Sequence, residues 1–90
     1  MEIIHNTHDH KFEIRDGRHT AVVEYRPFKE GIDIIHTYVP GEMENKGYAS
    51  ALVKHTLEYA RENHLKVITT CPFSRSYVAR HPEYQNLIFS

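Results

Sequence analysis

The sequence predicts an α/β protein built on a mixed sheet, in the order β-β-β-α-β-α. Three observations carry this. Residues 11–39 hold three strand-like runs, two of them alternating with period two. An apolar stripe at 3.6 spacing follows over 45–63. A short β-branched run, 66–70, comes after it. The first three strands form an antiparallel meander. The third strand, the helix and the fourth strand form a βαβ unit, which is parallel and right-handed by the crossover rule.

Residues 1–10 read as a flexible His-rich arm or a short strand at Glu2–Ile4. Lys11–Arg15 alternates, with Phe12 and Ile14 on one face and Lys11, Glu13 and Arg15 on the other. Asp16-Gly17 signals a type I′ hairpin turn, because Gly accepts a positive φ. The return strand runs over Thr20–Arg26, with Ala21, Val23 and Tyr25 sharing a face. Pro27 to Gly31 breaks it, since Pro lacks a ladder donor.

Ile32–Val39 is the third strand. Strict alternation puts Ile32, Ile34, His36 and Tyr38 on one face and Asp33, Ile35, Thr37 and Val39 on the other. Apolar groups on both faces predict a strand covered on both sides. Pro40-Gly41 ends it. The helix spans Asn45–Asn63, with Ala49, Leu52, Val53, Thr56, Leu57 and Ala60 as its stripe. Asn63 suits a left-handed C-terminal residue. After Lys66–Thr70, Pro72 opens a second helix over Phe73–Arg80. His81-Pro82 stops it, and Tyr84–Phe89 is an extended or loosely helical tail.

Composition bounds the functions. Ninety residues make one domain, and 40% hydrophobic with 26% charged residues is ordinary for a folded one. Eleven Lys+Arg against 12 Asp+Glu give a net charge of -1, which argues against a general nucleic-acid binder. A single Cys excludes a disulfide framework or a multi-Cys metal site and suits a reducing, cytoplasmic setting. No apolar run is long enough for a membrane helix, and the start lacks signal-peptide features. Three of the eight His residues, His5, His8 and His10, cluster near the start, read as a solvated arm rather than a metal site.

Topology localises a candidate site. In open α/β sheets, ligands bind beyond the carboxyl ends of the parallel strands. Those ends are Tyr38-Val39 and Thr70-Cys71. The same edge gathers two helix N-termini, the loop Pro40–Lys46 and the only thiol. A helix N-terminus has unpaired N–H groups and can hold an anion. The loop Gly41-Glu42-Met43-Glu44-Asn45-Lys46-Gly47-Tyr48-Ala49 is neither a Walker loop nor a Rossmann fingerprint.

Ile35-His36-Thr37-Tyr38-Val39-Pro40, then Asn45-Lys46-Gly47-Tyr48-Ala49-Ser50-Ala51-Leu52, resembles the acetyl-CoA motif of the GNAT superfamily of N-acetyltransferases. Cys71-Pro72-Phe73 and His81-Pro82-Glu83-Tyr84 resemble segments of its minimal, single-domain branch. The match covers roughly residues 11–88. Two departures stand out: Glu44 occupies a Q/R position, and Asn45 a position that is often Gly.

The resemblance implies a GNAT-like fold, acetyl-CoA as cofactor and an amine acceptor that the sequence does not name. It implies that the loop from Glu44 through Asn45, Lys46, Gly47, Tyr48, Ala49 and Ser50 holds the pyrophosphate. It places Thr37, Tyr38 and Val39 along the pantetheine arm, and Pro72, Phe73 and Tyr77 beside the cofactor. Cys71 is the candidate nucleophile, because a thiol at a helix N-terminus favours the thiolate; the alternative is a small buried hydrophobe. His36 is the candidate base; the alternative is a buried, backbone-bonded His. Two other readings of the whole remain open: a CoA-binding module with little turnover, and a protein-interaction domain. No nucleic-acid or membrane partner is expected, and the chain is read as a monomer or weak dimer.

Overall fold

Five strands form one sheet, and their spatial order is their chain order. In this structure, a computed structural model describing residues 1–90, β1 is Ile4–Asn6, β2 Lys11–Asp16, β3 His19–Phe28 and β4 Gly31–Tyr38. A 3-10 turn at Gly41–Met43 leads into α1, Tyr48–Glu62. Then come β5, Lys66–Thr69, α2, Pro72–Arg80, and a 3-10 turn at Pro82–Leu87. β1 to β4 pair antiparallel and β4 pairs parallel with β5. The mixed sheet predicted above is the fold observed. No helix is long and apolar enough to cross a membrane.

The helix stripe explains the core. Leu52, Val53, Thr56, Leu57 and Ala60 are buried on α1, against Phe12 and Ile14 of β2 and Ala21, Val23 and Tyr25 of β3. Burying each of Leu52, Val53 and Leu57 stabilises the fold by about 1.5–3 kcal/mol. The one polar member, Thr56, returns its hydroxyl to the Leu52 carbonyl at 2.8 Å, so its burial leaves no orphan.

Several local expectations change. The first strand lies at Ile4–Asn6, two residues beyond Glu2–Ile4, and it is docked on β2 with His5 opposite Phe12. The β2–β3 turn has Gly17 and Arg18 at its centre, since Asp16 pairs with His19. Gly17 has φ +64° and Arg18 does not have a positive φ. That is the signature of type II′, not type I′, which needs two positive values. β3 runs through Pro27 to Phe28 instead of breaking there. Its partner β2 has already ended opposite Glu24, so Pro27 lies on a free edge that needs no donor.

The largest correction concerns β4. Glu24 pairs with His36 but Tyr25 pairs with Ile34, so Ile35 is an extra residue. The bulge reverses the alternation beyond it. Thr37 therefore shares the buried face with Ile34, opposite Val23, whereas His36 and Tyr38 are exposed on the other face. β4 is thus not covered on both sides. The outer face stays polar, and its buried carboxylate, Glu13, is held by Arg15 at 2.8 Å and Lys11 at 3.5 Å.

α1 starts at Tyr48, not Asn45, because Asn45 and Gly47 are both left-handed, at φ +65° and +76°. At its other end the left-handed residue is His64, not Asn63. Leu65 N–H bonds the Ala60 carbonyl and His64 N–H the Arg61 carbonyl, a Schellman closure one residue later than expected. β5 ends at Thr69. The tail is helical over Pro82–Leu87, and then Ile88 bridges Val67 along the outer edge of β5.

Candidate active site

A cleft of about 430 Å³ opens where β4 leaves the sheet and α1 begins. Its wall combines Val39 after β4, Phe73 of α2, and the loop and helix start from Met43 to Ser50, Lys46 excepted. The loop's shape is local in origin. Two left-handed residues, Asn45 and Gly47, turn the chain into α1. Asn tolerates this conformation because its short polar side chain bonds locally. The first bond into the helix is Ala51 N–H to the Gly47 carbonyl. The N–H groups of Tyr48, Ala49 and Ser50 therefore have no acceptor inside α1. A Cβ added at Gly47 would meet nothing within 4 Å, so the cleft is open there.

The loop is pinned from below and from the side. Met43 is 1% exposed and anchors the 3-10 turn in the core while also lining the cleft. Sequence reasoning missed it; a single apolar residue in an otherwise polar loop was the available signal. Asp16, in the β2–β3 hairpin, accepts hydrogen bonds from Lys46 Nζ at 3.1 Å and Tyr48 Oη at 3.3 Å. The Lys46 ammonium beside it holds the Asp16 carboxyl below its usual range. Nothing local marks Asp16, which lies thirty positions before Lys46 in the chain. Lys46 is thus engaged with the hairpin, whereas Glu44 borders the cleft without an ion-pair partner.

Cys71 sits at the N-cap of α2 and is 5% exposed. Its N–H donates to the Ile34 carbonyl at 2.9 Å, just before the bulge. Its carbonyl accepts Ser74 Oγ at 2.8 Å and Arg75 N–H at 3.1 Å. The sulfur lies 3.4 Å from Thr37 Oγ1. Burial works to raise the thiol pKa. The Thr37 hydroxyl beside the sulfur, and then the N–H dipoles of Ser74 and Phe73 at the start of α2, outweigh it and hold the thiol below its ordinary value.

The remaining predicted residues are dispersed. Thr37 joins Cys71, and Val39 joins the cleft. Tyr38 is 53% exposed on the outer face, where His36 stacks with it at 6.5 Å. His36 and Thr37 thus point to opposite sides of the sheet. Pro72 is exposed at the first turn of α2. Tyr77 is buried against His81, ring centroids 4.0 Å apart, and is not part of the cleft wall. His5, His8 and His10 do not converge, and no cluster of three His, Cys, Asp or Glu residues is arranged to hold a metal.

Comparison with known proteins bears on this arrangement. A family profile described as GCN5-related N-acetyl-transferase matches residues 11–87. The chain is 29% identical to Protein NATD1 of Xenopus tropicalis over 90 residues, covering 97% of this chain and 83% of that one. It is 30% identical to Protein NATD1 of Homo sapiens, covering 97% and 80%. Its structure is similar to the NMR solution structure of a GCN5-like protein from Staphylococcus aureus, with a TM-score of 0.77 at 33% identity, covering 99% and 88% of the two chains.

Proposed function

This chain belongs to the GCN5-related N-acetyltransferase family, and from that premise we propose that it is an acetyl-CoA-dependent acetyltransferase acting on an amine. The observation that carries the reading is the cleft itself. Free N–H groups at the start of α1, small residues at Gly47, Ala49 and Ser50, and open space above Gly47 suit a phosphate-bearing ligand. Acetyl-CoA supplies an activated acetyl thioester when bound. Asn45, Gly47, Tyr48, Ala49 and Ser50 are the groups offered to its pyrophosphate, and Val39 and Phe73 give its chain an apolar wall. Glu44 is the one side chain there of the wrong charge.

Cys71 is the side chain offered as acetyl acceptor. Its thiol is held towards the thiolate, the form that attacks a thioester. Two observations favour a second reading, coenzyme binding with little turnover. Glu44 weakens the attraction of the cleft for a polyanion, and the imidazole of His36 lies on the far face of the sheet.

Incubation with acetyl-CoA, followed by intact mass, tests the first reading. The expected result is one acetyl adduct that is absent from Cys71→Ala. A rise in Tm with acetyl-CoA but no adduct, and no transfer to any amine screened, supports the second reading. Neither adduct nor rise in Tm defeats both.

A further inference from the structure

We propose that Thr37 is the positioning residue for Cys71, its hydroxyl set against the sulfur by the β4 bulge so that it donates to the thiolate. This deepens the reading of Cys71 as acetyl acceptor and rests on it.

Three observations support the assignment. The first is register. With uninterrupted alternation His36, not Thr37, would share the face of Ile34. The extra residue at Ile35 exchanges them, and places a hydroxyl where an imidazole would otherwise stand. The second is that the Thr37 hydroxyl has one side-chain partner, the Cys71 sulfur at 3.4 Å. A branched side chain on a strand is restricted at χ1, which limits the positions open to the hydroxyl. The third is that the sulfur is fixed from its own side. Cys71 is tied to β4 through its N–H and to α2 through its carbonyl.

The surrounding charges do not offer an alternative activator. β4 supplies Asp33, whose carboxylate accepts from Thr70 Oγ1 at 2.9 Å and Thr70 N–H at 3.3 Å. α2 supplies Arg75, whose guanidinium donates to the Thr70 carbonyl at 3.1 Å. The residues that α1 buries, Leu52, Val53, Thr56, Leu57 and Ala60, carry no charge. The one group hydrogen-bonded to the sulfur is a neutral hydroxyl, that of Thr37. On ionisation the thiol proton leaves to solvent and the Thr37 O–H turns its hydrogen to sulfur. Hydrogen bonds to an ionised acceptor are about twice as strong as neutral ones.

The test reads the thiol without any coenzyme. Thiolate ultraviolet absorbance is followed against pH in the whole protein, as the difference from Cys71→Ser, which cancels the tyrosines. The native midpoint is expected below the ordinary thiol value of about 8.5. Thr37→Val keeps the shape and removes the donor, and is expected to raise the midpoint by about one pH unit, while Thr37→Ser restores it. Thr37→Ala is the substitute if circular dichroism shows Thr37→Val misfolded. An unmoved midpoint in the folded donorless variant overturns the inference. An acetyl adduct on Cys71 together with an unmoved midpoint defeats the role of Thr37 alone. A shifted midpoint with no adduct defeats the acceptor role of Cys71 and leaves the Thr37–sulfur coupling standing.

Discussion

Glu44 shows how one side chain tests a whole site. It borders the cleft with no cation to neutralise it. A unit charge at the edge of an open, solvent-screened anion site changes binding by less than about 1 kcal/mol. Glu44→Gln is therefore expected to tighten coenzyme A binding about three-fold in calorimetry, and an unchanged affinity would mean that the carboxylate points away. Tyr84 tests the C-terminal segment instead. Its hydroxyl donates to Glu58 Oε2 at 2.6 Å, and Arg61 lies over its ring at 4.9 Å. Burial first, and then this bond and charge, push its pKa up to about 12. Tyr84→Phe should lose about 1–2 kcal/mol in urea unfolding, since the bond is to a charged partner. At this scale the chain was readable where chemistry is local. Cys71 at a helix start could be read from its neighbours alone, whereas the Gly-like position of Asn45 came from the family resemblance. Asp16 could not, because its role exists only once a hairpin meets a loop.

Elements were legible where one periodicity ran uninterrupted. The stripe of α1 and the alternation of β2 gave their faces directly. β4 was misread because a bulge is a relation between two strands, and no residue near Ile35 announces it. The helix C-terminus was displaced by one residue because Asn63 and His64 both accept the closing geometry, and the decision falls to where Leu65 packs. Gly31 carries the sharpest prediction for an element. A Cβ built there would lie 1.8 Å from the Lys66 carbonyl oxygen, so the start of the β4–β5 pairing accepts no side chain. Gly31→Ala should cost about 3 kcal/mol or more. Hydrogen exchange would show the loss concentrated in β5, and uniform protection across both strands would contradict the argument.

At the scale of the molecule, the polar N-terminal segment proves to be a structural strand with an ionisable clasp. His5 stacks on Phe12 at 4.1 Å, meets Tyr59 edge-on at 4.8 Å and pairs through Nε2 with the Tyr25 hydroxyl at 2.6 Å. Burial, and then the His55 and His10 charges, lower its pKa from 6.5. The folded state thus prefers the neutral ring. The contribution of β1 is complete above pH 6.5 and is lost as pH falls through the lower folded value. Tm should drop on acidification below 6.5, and His5→Phe, which keeps the stack, should flatten that drop; an equal drop in both proteins would assign it elsewhere. The agreement of strand order with chain order reaches beyond stability. Each strand from β1 to β4 finds its partner next in sequence, through short turns, so most of the sheet assembles from local contacts. Only β5 must wait for a long segment, α1 included, to fold back on β4, and that is where loop-closure entropy is concentrated. The cleft stands on this junction. During refolding it should therefore mature after the meander, so that competence to bind coenzyme trails the return of sheet structure.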